Sequence, residues 1–122
     1  MNSTGDRRRA ERLRTSLQAY WEGVLTRRGG TITDISPTGC FILTRDDVQP
    51  QELIRLDVHS PTGRSICLWG EVVYKVEEMG FALRFTGTEP AEQEMLKLLL
   101  DYLRVVRESD QAAPELLTSN VG

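Results

Sequence analysis

From Leu53 to His59 apolar and polar residues alternate. Ile54, Leu56 and Val58 fall on one side of an extended chain and Arg55, Asp57 and His59 on the other. A period of two is the pattern of a strand with one wet face. The alternation returns in SICLWGEVVYKV, residues 65–76, after the turn sequence SPTGR at 60–64, where proline and glycine preset a reversal. EEMG then turns the chain into GFALRF, and upstream CFILT reads as a short buried strand after Gly39.

The segment before it is ambiguous. Leu13, Leu17, Tyr20, Trp21, Val24 and Leu25 fall at helical spacing, yet Leu13, Leu17, Ala19, Trp21 and Leu25 share one side of a strand. Arg27-Arg28-Gly29-Gly30 reads as a hairpin turn with TITDI as the returning arm, and a hairpin needs its first arm extended. Leu17 to Thr26 is therefore predicted as a strand. About six short strands, closely spaced with turn residues between them, suggest a small closed or partly closed barrel.

After Thr86 the period changes. Thr88 reads as an N-cap or flanking residue, Pro90 stands in the first turn, and Glu89, Glu92 and Glu94 follow the acid preference of a helix start. Met95, Leu98, Leu99, Tyr102, Leu103 and Val106 form a helical stripe. A helix over 89–107 is predicted, with that stripe packed on the barrel or on a partner. Residues 1–6 are expected to be disordered and 108–122 to form a flexible tail, because both are small and polar. No internal repeat is visible.

At 122 residues the chain makes one domain. No apolar run approaches the ~20 residues that cross a bilayer, so no membrane insertion is expected. MNSTGDRRR has no apolar stretch behind its charges, so it does not read as a secretory signal. Cys40 and Cys67 lack metal-ligand spacing and read as reduced core thiols. A cytoplasmic protein is the expectation.

A net charge of −3 argues against general nucleic-acid affinity, but the charges are unevenly placed. Arg7, Arg8, Arg9, Arg12 and Arg14 crowd the start, while acids populate the last third. All basic residues but Lys75 and Lys97 are arginine, the side chain whose planar fork suits phosphates and guanine edges.

Catalysis finds little support. His59, the one histidine, sits on a wet strand face with no nucleophile suggested beside it. No cluster has metal spacing, and no phosphate-binding glycine loop precedes a helix. Neither an enzyme nor a cofactor or metal is expected.

Two short motifs carry more. Arg8 and Arg12 make an R-x-x-x-R pair in RRAER, and Asp34, Ser36 and Gly39 make a D-x-S-x-x-G in DISPTG, with twenty-one residues between Arg12 and Asp34. In this order they resemble the two signature motifs of PilZ domains, bacterial receptors for cyclic dimeric GMP (c-di-GMP). WGEVVYKV, then MGFALRF, then a helix are similar to the family's closing strands and C-terminal helix. The resemblance covers residues 7–107. It implies a mainly β fold, a six-stranded antiparallel Greek-key β-barrel with one C-terminal α-helix, and resolves the ambiguous segment as a strand. An arginine arm at 7–14, a barrel at 15–86 and a helix at 89–107 follow. It further implies that Arg8, Arg12, Asp34, Ser36 and Gly39 bind c-di-GMP, with Arg7 and Arg9 as extra phosphate contacts.

The residue types suit that ligand. Arginine pairs bidentately with a phosphate or with guanine O6 and N7, and stacks on the ring. The opposite guanine edge offers N–H donors to an ionised Asp34. Ser36 can donate to a phosphate oxygen or accept from a base amine. Gly39 permits positive φ or a close approach, and Pro37 stiffens the loop. The arm lacks a large apolar anchor, so it is expected to order over the nucleotide on binding and pass that change to a protein partner. The sequence does not identify that partner, and monomer and homodimer both stay open. Two alternatives stand beside this reading. One is a PilZ-type interaction module without ligand binding. The other is a small barrel for single-stranded nucleic acid, which needs a basic, aromatic face that Arg55, Asp57 and His59 do not make.

Overall fold

The computed structural model describes residues 12–23 and 26–121, with side chains as far as residue 106. Six strands, β1 (Leu13–Glu22), β2 (Arg27–Ile35), β3 (Gly39–Leu43), β4 (Leu53–His59), β5 (Ser65–Val76) and β6 (Gly80–Phe85), precede one helix, α1 (Pro90–Val121). The strands close into an antiparallel barrel in the order β1-β2-β3-β6-β5-β4, sealed where β4 pairs with β1. Consecutive strands are neighbours except at the β3–β4 connection, which steps over β6 and β5 in Greek-key fashion. Lys75 on β5 ties that crossover down by donating to Asp47 over 2.8 Å, and the ammonium holds the Asp47 carboxyl below its ordinary range.

Alternation decides what the barrel encloses. Leu17, Ala19 and Trp21 from β1, Ile32 and Ile35 from β2, Ile54, Leu56 and Val58 from β4, and Phe81 and Leu83 from β6 are buried inside. Trp21 meets Phe81 edge to face, ring centres 5.3 Å apart, the arrangement that the ring quadrupoles favour.

Four expectations need correction. The first hairpin turns at residues 23–26, where the Gly23 N–H bonds the Thr26 carbonyl over 2.8 Å, not at 27–30. Arg27 to Gly30 lie within β2, paired with Glu22 to Ala19. Their glycines serve close approach: a Cβ on Gly30 would fall 2.5 Å from the Leu43 carbonyl oxygen. Cys67 is exposed rather than a core thiol, because Ile66 and Leu68 take the inward phase of β5. Its sulfur accepts the Arg55 Nε–H at 2.9 Å.

The helix is also placed differently. Leu96, Leu99, Leu100 and Leu103 pack on the barrel, against β5 and β1, whereas Leu98 and Tyr102 of the predicted stripe face outward. The leucine run 98–100 makes both sides apolar, and only the barrel selects between them. The Glu92 carboxylate fixes the first turn by accepting the Trp69 backbone N–H at 2.7 Å. Finally, α1 runs to Val121, past the predicted end at 107, so residues 108–121 are helical rather than an irregular tail. Ala112, Ala113, Glu115, Leu116 and Leu117 are helix formers, a local preference that the small, polar composition conceals. Leu99→Ala, which empties the centre of the contact between helix and barrel, is expected to cost about 2–5 kcal/mol in urea unfolding.

Candidate functional site

The chain leaves β2 at Ile35 and enters β3 at Gly39 through a loop built on one hydroxyl. Ser36 Oγ accepts the backbone N–H groups of Thr38 and Gly39 at 3.2 and 3.3 Å and lies 3.2 Å from Thr38 Oγ1. The Ser36 N–H itself bonds the Gly39 carbonyl over 2.8 Å. Ser36 is buried, so its hydroxyl shapes the loop from within and is not presented to solvent. The Thr38 carbonyl accepts the Phe85 N–H at 2.8 Å, which anchors the loop to the end of β6.

Gly39 has a different reason to be glycine from the two that the motif suggests. Its φ is not positive, and it faces no open surface. A Cβ there would stand 2.2 Å from the Leu83 carbonyl oxygen, so β3 and β6 approach too closely for any side chain.

Asp34 is the motif residue that looks outward. Its carboxylate takes the Arg12 guanidinium at 2.5 Å, with side chains 31% and 51% exposed respectively. The register also sets it opposite Arg14 on β1. Behind it, burial first and the Asp34 charge second push the Cys40 thiol above its ordinary range, with Arg12 opposing. That thiol is an inert packing group.

Strand pairing extends this point into a surface. Asp34 pairs with Phe41, Phe41 with Ala82, and Ala82 with Tyr74. Their sequence neighbours Ile35, Cys40 and Leu83 are buried inside, so these four lie in a row across the outer face of the barrel. Tyr74 is 54% exposed. In the next row, toward the loop, Gly39 pairs with Arg84 and Arg84 with Glu71; Arg84 also donates to the Glu71 carboxylate. The site thus offers the Asp34 and Glu71 carboxylates, Arg84 and an aromatic shelf on one sheet, with Arg12 at its edge. A groove of about 650 Å³ adjoins it, with Pro37, Thr38 and Arg84 on one side and Leu96, Lys97 and Arg104 of α1 on the other.

Of the residues that the sequence singles out, Arg12 and Asp34 are brought together, while Ser36 and Gly39 stand in the same loop but are turned inward. Arg7, Arg8 and Arg9, and the expectation of disorder for 1–6, lie outside the described residues. Phe41, Tyr74 and Arg84 went unnoticed. Phe41 and Arg84 stand in the outward phase of their strands, a signal that alternation carries, whereas Tyr74 shares the phase of the buried Ile66, Leu68 and Val72 and is turned outward by the bulge between Val72 and Tyr74. Tyr74 and Arg84 reach the face of Asp34 only through the β3–β6 pairing, which alternation does not reveal. Among the described residues no three His, Cys, Asp or Glu side chains could hold a metal ion, and no helix is long and apolar enough to cross a membrane.

A family model, the PilZ domain, matches residues 6–102. The chain belongs to the PilZ domain family. No curated protein matches it in sequence. Solved structures share the fold of this PilZ domain at low identity. YcgR from Escherichia coli in complex with c-di-GMP superposes with a TM-score of 0.71 at 16% identity, covering 90% of this chain and 50% of that one. The separate PilZ domain of YcgR with c-di-GMP gives 0.68 at 16% identity, covering 86% and 98%. The Bacillus subtilis inhibitor of motility, MotI/DgrA, gives 0.66 at 20% identity, covering 85% and 52%. The chain therefore spans about half the length of the YcgR and MotI/DgrA chains. The described barrel and helix are the architecture that these PilZ structures share with it.

Proposed function

We propose that this PilZ domain is a cytoplasmic c-di-GMP receptor that acts by binding and not by catalysis. The observation that carries the reading is the Arg12–Asp34 pair, brought together across twenty-one intervening residues on the rim of the outer face. A carboxylate and a guanidinium side by side suit a guanine edge and a phosphate. YcgR, with the same fold, is a c-di-GMP complex.

In this reading a guanine edge replaces Arg12 at the Asp34 carboxylate, and the freed guanidinium turns to a phosphate. The exchange is accessible because a half-exposed ion pair is worth only ~0–1 kcal/mol. Arg8 stands four residues before Arg12, within at most ~14 Å of chain, and supplies the second cation, with Arg7 and Arg9 beside it. Ser36 acts through the loop it shapes. Phe41 and Tyr74 offer a face to the base, so Tyr74→Ala is expected to weaken c-di-GMP binding by ~1–3 kcal/mol, read by fluorescence titration. Pro37 and Thr38 also line the groove beneath α1, and that contact gives the loop a route to the helix and to a protein partner.

A second reading has an observation of its own. The burial of Ser36 and the tight β3–β6 approach at Gly39 account for both residues without any ligand. A PilZ module that only docks a protein would keep them too. Competition of labelled c-di-GMP with GMP, GTP and single-stranded RNA separates the cases. A receptor discriminates against all three competitors; a docking module binds none of the four.

A further inference from the structure

α1 carries two apolar faces, and the barrel uses one. Leu96, Leu99, Leu100 and Leu103 are buried on the strands, while Leu98, Tyr102 and Val105 are 53%, 38% and 61% exposed. With the half-buried Met95 these form a second stripe whose centre lies roughly 130° around the helix from the first. The stripe is one bank of a cleft of about 170 Å³. Ser60, Thr62, Arg64 and Ile66, in and beside the β4–β5 turn, form the other.

We propose that this stripe is the seam of a parallel homodimer, in which the α1 helices of two copies lie side by side. Met95, Leu98, Tyr102 and Val105 are spaced three, four and three residues apart. That is the a/d rhythm of a two-helix seam, narrower than the face a helix turns to a globular core.

The charges choose the occupant and its direction. Glu94 and Asp101, seven residues apart, flank the stripe on the side away from Leu99, and Arg64 stands on the opposite bank. Asp101 is already held by Lys97 at 3.3 Å and Arg104 at 3.1 Å. Glu94 and Arg64 have no ion-pair partner among the described residues. Two copies related by a two-fold axis parallel to the helices bring Glu94 of each toward Arg64 of the other. An antiparallel pair instead sets the acidic flank of Glu94 and Asp101 against its own copy, so the parallel arrangement is favoured.

Sedimentation velocity on the full 122-residue chain tests the seam without c-di-GMP, so its outcome is independent of the ligand reading. Wild type is expected to sediment as a dimer at about 100 μM. Leu98→Glu and Val105→Glu, at exposed positions, are expected to sediment as monomers whose circular dichroism shows the barrel intact. Arg64→Glu is expected to weaken the dimer at least ~tenfold, and adding Glu94→Arg to restore it. A monomeric wild type, a Leu98→Glu variant that dimerises as well as wild type, or a charge swap without rescue each overturns the proposal.

Discussion

Asp34→Asn and Arg12→Ala are each expected to weaken c-di-GMP binding by at least ~1.5 kcal/mol, more than tenfold in Kd, while melting shifts by no more than a few degrees. The two readouts separate because the pair lies at the surface. Its side chains are 31% and 51% exposed, and such a pair adds only ~0–1 kcal/mol to folding. Against a ligand Asp34 faces directional N–H donors and Arg12 faces charged phosphate acceptors. Asparagine keeps the size of Asp34 but offers one oxygen and an NH2 group, whose donors meet guanine's own N–H donors, so one hydrogen bond becomes a repulsion. Arg8→Ala is expected to lose as much as Arg12→Ala, since each arginine supplies a charged hydrogen bond. In a double-mutant cycle Asp34→Asn and Arg12→Ala should couple, because they exchange partners when the ligand enters. Unchanged calorimetric affinity in both single variants would remove the pair from the site.

Gly39→Ala acts on the fold. The added methyl meets the Leu83 carbonyl oxygen at 2.2 Å and the Arg84 Cα at 3.3 Å. Both are backbone atoms, so no rotamer relieves the clash and β3 must separate from β6. Overpacking of this kind costs about 1–3 kcal/mol, a fall on the order of 10 °C in Tm for a domain of this size. Ser36→Ala should follow in the same direction by ~1–3 kcal/mol, because the Thr38 and Gly39 N–H groups lose their buried acceptor. Thermal melting and titration distinguish the roles of the glycine. A stable Gly39→Ala protein that no longer binds c-di-GMP would mean that the residue faces the ligand and that the β3–β6 contact is soft.

What could be read from residues alone follows the range of the forces involved. β4, β5 and β6 were legible because alternation is local: Ile54, Leu56 and Val58 face inward whichever strands flank them. The first hairpin was misplaced by four residues because Gly29 and Gly30 look like turn glycines. Their reason is close approach: the Tyr20 ring lies against Gly29, and Leu43, thirteen residues on at the end of β3, presses on Gly30. Likewise, the helix stripe was offset because three consecutive leucines leave the choice of face to the barrel.

The site divides in the same way. Arg12 and Asp34 were identifiable as a motif, since residue type and spacing are enough to name them. The inward turn of Ser36 was not, because a serine near a glycine reads the same whether it caps its own loop or reaches a ligand. Phe41 joins Asp34 across the β2–β3 hairpin, but Tyr74 and Arg84 share that outer face only through the non-sequential pairing of β3 with β6. That pairing is a property of barrel closure, and no local pattern encodes it.

The central claim is that c-di-GMP sits on the outer face that runs from Asp34 to Tyr74. The most direct measurement is an amide NMR titration of the isotopically labelled chain with c-di-GMP. The account predicts saturable shifts at Asp34, the 36–39 loop, Phe41, Ala82 and Tyr74, with Arg55, Asp57 and His59 on the far face of β4 unmoved. Shifts centred on β4, or a spectrum indifferent to saturating c-di-GMP, would contradict it.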